Sequence, residues 1–271
     1  MEKWPLIHLS RSGTMAVLLK HDVVVELLCD HTVRVVCPNE FSVLCDANGK
    51  TLGILHRRGK ILKTNNSIAC MMDSPPHPRH TDDQRIKQIA FGKKGILFSM
   101  SHLKQAMFIS SSSRTRQSKN NTSWYRNGEH ISTIPADQVV FAKLDYDFTL
   151  HGFYANERAS DKSKKLASQL VSSAVYHFED EGLFVSLHGV KIKQNKSGDV
   201  VIENNGQYIK CSPKKASVEI RAGGTELFMD LDWKALIKDG GRRAHVSRSG
   251  MVIGDGVDLA MVDQNGRIVG C

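Results

Sequence analysis

Three short segments place a histidine two residues before a serine: His8-Leu9-Ser10, His130-Ile131-Ser132 and His245-Val246-Ser247. Side chains alternate along a β-strand, so each histidine would share a face with its serine. Two such pairs brought together would let one imidazole act as base and the other as acid. With 12 histidines in the chain, a three-residue pattern also arises without function. Histidines at strand ends are the plainer reading, and no catalytic residue is assigned. The glycines at Gly250, Gly254 and Gly256 lack the Lys-Ser/Thr of a phosphate loop and suit a tight hairpin. The acidic run Glu179-Asp180-Glu181 reads as a solvated turn after a helix.

The six cysteines are Cys29, Cys37, Cys45, Cys70, Cys211 and Cys271, and none forms a Cys-x-x-Cys pair. They are read as reduced thiols in packing roles, so neither a metal nor a cofactor is expected. The start, Met1-Glu2-Lys3-Trp4-Pro5, has no apolar leader segment. Apolar runs are strand-sized, too short for a bilayer. The expectation is a soluble intracellular protein, cytoplasmic or nuclear, without a membrane partner.

The net charge is +9, and its placement is uneven. From Gln84 to Gly128 there is no Asp or Glu, and nine cations fall there: Arg85, Lys87, Lys93, Lys94, Lys104, Arg114, Arg116, Lys119 and Arg126. A one-sign patch attracts acidic protein surfaces or tails, or nucleic acid. Trp124 and Tyr125 lie beside a polar loop and an Asn-Gly turn, where aromatic rings could stack on bases. Phe98 and Phe108 alternate with polar neighbours and read as core. The candidate partner-binding residues are the nine cations with Trp124 and Tyr125.

Hairpin punctuation frames these residues. Asn-Gly occurs at 48–49, 127–128, 205–206 and 265–266, and the pair suits a type I′ turn because both central residues need positive φ. Between the turns lie short β-branched runs: Val23 to Leu28, Thr32 to Cys37, Phe41 to Cys45, Leu52 to Leu55, Asp199 to Glu203, Gln207 to Cys211, Ser217 to Arg221 and Glu226 to Leu231. Such spacing predicts antiparallel sheet. One helix is predicted over 160–181, capped by Ser160, with Leu166, Leu170, Val171, Ala174, Val175 and Phe178 at helical spacing and Gly182 as its stop. Residues 232–238 could form a short helical turn. Asp73 to His80, with three prolines, and the polar stretch Ser110 to Ser123 read as linkers.

The ends of the chain match. His8-Leu9-Ser10-Arg11-Ser12-Gly13 resembles His245-Val246-Ser247-Arg248-Ser249-Gly250. Asp46-Ala47-Asn48-Gly49 is followed in the same order by Asp263-Gln264-Asn265-Gly266. Two ordered matches indicate an internal duplication. The spacers differ, 33 positions against 13, as if the second copy had lost a hairpin. Recurrent turn chemistry is the alternative account.

Ser12-Gly13-Thr14-Met15, then strands, then Asp46-x-Asn48-Gly49, resembles the β-meanders of polo boxes, where strands precede one helix, often in tandem. The Pro-rich and Ser-rich stretches depart from that pattern, and no phosphopeptide motif carries over. Trp4-Pro5, Ser12 to Met15, Cys37-Pro38 and Glu40 to Val43 resemble a vertebrate family known as a chromosome-5 open reading frame. The His-x-Ser segments resemble two-histidine phosphoesterases, although Arg11, Thr133 and Arg248 stand where that family has a hydrophobic residue. The polo-box resemblance implies a binding or self-associating scaffold, at centrioles or cilia.

The sequence thus predicts an α+β, mainly β protein: antiparallel sheets in two related modules with one long helix. The boundary is expected between 1–181 and 182–271. The expected function is a non-enzymatic protein-interaction scaffold, which engages an acidic partner and allows a homo-dimer. RNA or single-stranded DNA binding is the first alternative and a phosphoesterase the second.

Overall fold

The computed structural model describes residues 5–73, 86–100, 105–110, 123–124, 131–135, 138–155, 160–179, 182–257 and 259–270. The first sheet takes β1 (Leu6–Leu9), β2 (Met15–Leu18), β3 (Val24–Leu27), β4 (Val33–Cys37), β5 (Phe41–Cys45), β6 (Leu52–His56), β7 (Gly59–Lys63), β8 (Ile68–Asp73), β9 (Ile86–Gly92), β10 (Gly95–Met100), β11 (Gln105–Ser110), β12 (Ser123–Trp124) and β13 (Ile131–Pro135). Two helices follow, α1 (Phe148–Tyr154) and α2 (Asp161–Ser172). The second sheet takes β14 (Val175–Glu179), β15 (Gly182–Leu187), β16 (Val190–Asn195), β17 (Val200–Asn204), β18 (Gln207–Ser212), β19 (Ser217–Ala222), β20 (Thr225–Met229), β21 (Ala235–Asp239), β22 (Arg242–Ser247), β23 (Gly250–Gly254), β24 (Leu259–Asp263) and β25 (Ile268–Gly270). Strand order follows the chain in both sheets, except that β12 lies outside β13. The mainly β, antiparallel architecture with two related sheets agrees with the sequence reading.

Two compact units divide the chain, Met1–Arg57 with Tyr146–Gly223 and Arg58–Asp145 with Gly224–Cys271. The first holds β1–β6, both helices and β14–β19, and the second holds β7–β13 and β20–β25. The boundary expected at 181–182 falls inside the β14–β15 hairpin, where Glu179 pairs with Gly182.

The helix expected over 160–181 ends at Ser172. Ser160 caps it as read from the sequence: its Oγ accepts from Ser163 N at 3.1 Å, and Ser163 Oγ accepts from Ser160 N at 3.0 Å. Val175 to Glu179 is strand instead. Val175 and Phe178, three apart, fit helical spacing, but pairing with β15 gives the backbone a ladder and sets the two on opposite faces of the sheet. The short helix expected at 232–238 is likewise corrected, since β21 begins at Ala235 and pairs with β20 and β22. Helix α1 was not predicted from the sequence.

In the first unit α1 packs on β4, β5 and β6, which is why β5 is buried at every position. Two glycines permit the approach. A Cβ on Gly53 would meet Phe148 at 3.1 Å, and one on Gly152 would lie 2.5 Å from Leu44. Asp147 caps α1, accepting from Thr149 N at 3.1 Å and Leu150 N at 3.0 Å. Buried Arg34 ties this cap to the sheet, donating to Glu26 at 2.7 Å and Asp147 at 3.3 Å. Burial raises the Asp147 carboxyl, but the Thr149 hydroxyl, the Leu150 N–H and Arg34 together hold it below the ordinary aspartate range.

The two sheets of this unit meet through side-chain amides set on backbone turns. Gln194 accepts from Lys20 N at 3.0 Å and donates to Lys20 O at 2.9 Å. Asn204 donates to His31 O at 2.7 Å, and Gln207 to Asp46 O at 2.8 Å and Ala47 O at 3.0 Å. These three side chains are buried, so their amide N–H groups find partners on the turn backbones rather than in water. Beside them the His31 and His188 rings stack at 4.0 Å. Burial, then the neighbouring His188, pushes the His31 pKa down.

The matched ends are matched in geometry. Ser10 Oγ bonds Ser12 Oγ at 2.8 Å in the β1–β2 turn, and Ser247 Oγ bonds Ser249 Oγ at 2.9 Å in the β22–β23 turn. In the second match Asp46 Oδ1 accepts from Lys50 N at 2.7 Å, and Asp263 Oδ1 from Arg267 N at 2.9 Å. Four strands, β2–β5, separate the first pair of turns, whereas only β23 and β24 separate the second. The shorter spacer is one hairpin fewer. Of the described Asn-Gly pairs only Asn205-Gly206 has both residues at positive φ, 47° and 80°. At 48–49 and 265–266 only the glycine does, because the aspartate three residues before it bonds the turn.

Two outcomes test these contacts. Arg34→Ala strands Glu26 and Asp147 without their cation and should cost about 3 kcal/mol in urea unfolding. A His31 pKa held below its unfolded value favours the unfolded chain once that chain takes up protons. Stability is therefore full above about pH 6.5 and falls as pH drops below it. His188→Asn should flatten that slope in unfolding curves taken from pH 8 to pH 5.

Candidate protein-interaction surface

Strand β14 stands at the free edge of the second sheet, and its principal contact is β15. All five of its residues are exposed. Val175, His177 and Glu179 oppose Ser186, Phe184 and Gly182, whereas Tyr176 and Phe178 oppose Val185 and Leu183. Val185 and Leu183 are buried, so Tyr176 and Phe178 stand on the core-facing side of the sheet. They are nevertheless 54% and 62% exposed, and Val175 is 58% exposed. The apolar side of the sheet thus continues one strand beyond its cover.

Local chemistry fixes the strand there. Gly182 has φ +149°, and a Cβ on it would lie 2.0 Å from Gln194 O, so only glycine admits β16 at this point. His177 Nε2 bonds Glu179 Oε1 at 2.8 Å, and its ring lies 4.8 Å from Phe184. Edge strands are ordinarily blunted by lysine, proline or a bulge. Val-Tyr-His-Phe-Glu has none of these. The other edge strand of this unit, β1, by contrast packs against α2. On the outer side of the neighbouring strands, exposed Lys191, Lys193, Lys210 and Arg221 mix with Glu203 and Glu219.

The residues proposed from the sequence fare differently. Lys93 and Lys94 are exposed at the β9–β10 turn. Lys87 is 4% exposed, and its Nζ donates to Ser247 O, which removes it from any basic surface. Its alternation along β9 with Ile89 and Phe91 turns it inward, and burial pushes its pKa down to about 8. Trp124 belongs by its backbone to β12. Arg85, Lys104, Arg114, Arg116, Lys119, Tyr125 and Arg126 lie outside the described residues, as do His130 and the linkers 74–80 and 111–122. His8 on β1 in the first unit and His245 on β22 in the second are both exposed. Phe98 is fully buried and Phe108 half-buried.

Among the described residues no group of three or more His, Cys, Asp or Glu is arranged to hold a metal ion. Cys29, Cys37, Cys45, Cys70 and Cys211 are free thiols, and burial pushes Cys70 up to about 12. Among those residues no helix is long and apolar enough to cross a membrane. In the second unit Arg58 and Arg248 lie 4.1 and 4.4 Å from the Trp233 ring centroid, so the arginine of the second matched end serves in a cation–π contact.

Fold and edge together define a β-meander protein with an apolar strand left open. The chain belongs to the family described as Domain of unknown function (DUF8796), whose model matches residues 5–271. No curated protein matches the sequence. The chain is similar to the wild-type TCP10 domain of Danio rerio CPAP in complex with a peptide of Danio rerio STIL, at 9% identity and TM-score 0.23, covering 92% of this chain and 97% of that one. It is also similar to the G-box domain of the microcephaly protein CPAP, whose structural description suggests a role in centriole elongation. That likeness has 11% identity and TM-score 0.28, covering 97% of this chain and 96% of that one. At such scores neither likeness carries a functional argument.

Lys87 yields a prediction. Its folded pKa of about 8 lies below an unfolded value near 10.5, so the unfolded chain holds the proton more tightly between them. The Lys87 contribution to stability should be lower and flat below about pH 8 and should rise toward about pH 10.5. Lys87→Met should remove that rise and stabilise the fold at neutral pH by about 1–2 kcal/mol, read from paired urea titrations.

Proposed function

We propose that the protein is a non-enzymatic protein-interaction scaffold that takes up polypeptide at the open edge of β14. The exposed core-side pair Tyr176 and Phe178 carries this reading. An added strand would satisfy the free backbone groups of β14, and its alternate side chains would lie on those two rings. Tyr176 and Phe178 alternate along the free edge, so the partner segment is apolar at alternate positions.

A second contact of the same scaffold is electrostatic. The acid-free stretch 84–128, with Lys93 and Lys94 exposed at the β9–β10 turn, supports engagement of an acidic protein segment. The polo-box resemblance supports an intracellular setting at the centriole or cilium.

A random peptide library selected on the immobilised chain tests the edge. The expected peptides alternate apolar residues, and Tyr176→Ala with Phe178→Ala weakens them at least tenfold in fluorescence polarisation. A polyglutamate peptide should bind in a salt-dependent manner, and Lys93→Glu with Lys94→Glu should weaken it. Peptide affinity that ignores Tyr176 and Phe178 overturns the edge reading. A low-salt gel shift with single-stranded RNA or DNA, abolished by the lysine changes, would favour nucleic acid at the basic stretch instead.

A further inference from the structure

We infer that the occupant of the β14 edge is β14 of a second copy of this chain, paired antiparallel about a twofold axis through His177. The inference rests on the reading of β14 as an interface and names its partner.

The strand is complementary to itself. Consider pairings that keep the core-facing sides of both sheets on one side. The axis must then pass through a residue, because opposed residues in an antiparallel pair share a face. With the axis at His177 all five residues of each strand are paired. Tyr176 then opposes Phe178 of the second copy, and this aromatic pair occurs twice. Cross-strand aromatic pairs are among the more favourable in a sheet. Val175 opposes Glu179, so no two carboxylates face each other in the pair. Moving the axis to Tyr176 or Phe178 leaves end residues of the strand unpaired and breaks the double aromatic pair.

The chemistry of the edge fits this occupant. An antiparallel pair of identical strands is isologous, so it closes at two copies and consumes both edges. That resolves the exposure of Tyr176 and Phe178, since each ring then lies against the other's partner ring on the core side. The area is modest. Half-exposed aromatic and valine side chains of two five-residue strands, with their backbone, bury about 1,000 Å² in total. That is at the low end for a specific complex, so the dimer should form in the micromolar range rather than be permanent.

Sedimentation velocity across about 1 to 200 µM should show a monomer–dimer equilibrium. Tyr176→Lys with Phe178→Lys should shift the midpoint upward at least tenfold. Both side chains are more than half exposed, so the variant keeps its fold, checked by circular dichroism. The register is read by cross-linking in a Cys271→Ser background. His177→Cys places two thiols opposite each other across the axis and should give a disulfide dimer on mild oxidation. Val175→Cys puts its two thiols four residues apart along the strands, about 14 Å, beyond disulfide reach. A chain that stays monomeric to 200 µM, a dimer indifferent to the lysine changes, or cross-linking at 175 rather than 177 would each overturn the inference. A monomer whose selected peptides still depend on Tyr176 and Phe178 would sink the dimer and leave the scaffold reading standing.

Discussion

An antiparallel ladder satisfies every backbone group except those on its outermost strands, and that deficit governs this protein. Among the described residues the short strands pair in chain order, save that β12 lies outside β13. What remains is the treatment of edges. In the first unit β1 has α2 against it, whereas among the described residues β14 is exposed at all five positions. The difference is chemical as well as geometric, because β14 carries rings on its core-facing side and no lysine, proline or bulge. An exposed edge of this composition is a hazard unless something occupies it.

The strands were legible because each short β-branched run is closed by a residue with a turn conformation. Phe41–Cys45 begins and ends where the sequence places it. The turn at Asn205-Gly206 likewise has the two positive φ values its residues suggest. The misreadings share one cause. Val175 and Phe178 lie three apart, a helical spacing, and Asp232 to Lys238 shows no strict alternation, so local spacing pointed to helix in both places. Pairing with β15, β20 and β22 decided both, and pairing partners are not visible to local periodicity. Lys87 was misplaced for a related reason: its charge drew it into a surface patch, while the alternation of Ile89 and Phe91 already marked its face as inward. That alternation was the available signal, and counting cations along the chain passed over it. The same count passed over β14, whose aromatic run holds no Lys or Arg.

The two helices show how little non-strand structure such a fold requires. α1 exists to cover the second face of β5, held by the Arg34 ties to Glu26 and Asp147, and α2 to flank β1. α1 buries Phe148, Thr149 and Phe153, whereas Ala167 is the buried residue of α2. Energy is invested in sheet faces, and the helices close particular gaps in them.

The amides of Gln194, Asn204 and Gln207 have a consequence for how the molecule can be altered. Each grips the backbone of one hairpin turn, at Lys20, His31 and Asp46–Ala47, so those turns cannot change length without losing a buried partner. Loop-length variation among family members, and engineered insertions such as epitope tags, should therefore avoid these three turns. The tips at Gly206, Gly224 and Gly240 are open in space, because nothing lies within 4 Å of a Cβ added there, so a longer loop fits them better than a side chain at their positive φ. The chain thus has one set of turns that serves as internal joinery and another that is open to elaboration, although both are built from the same few residue types.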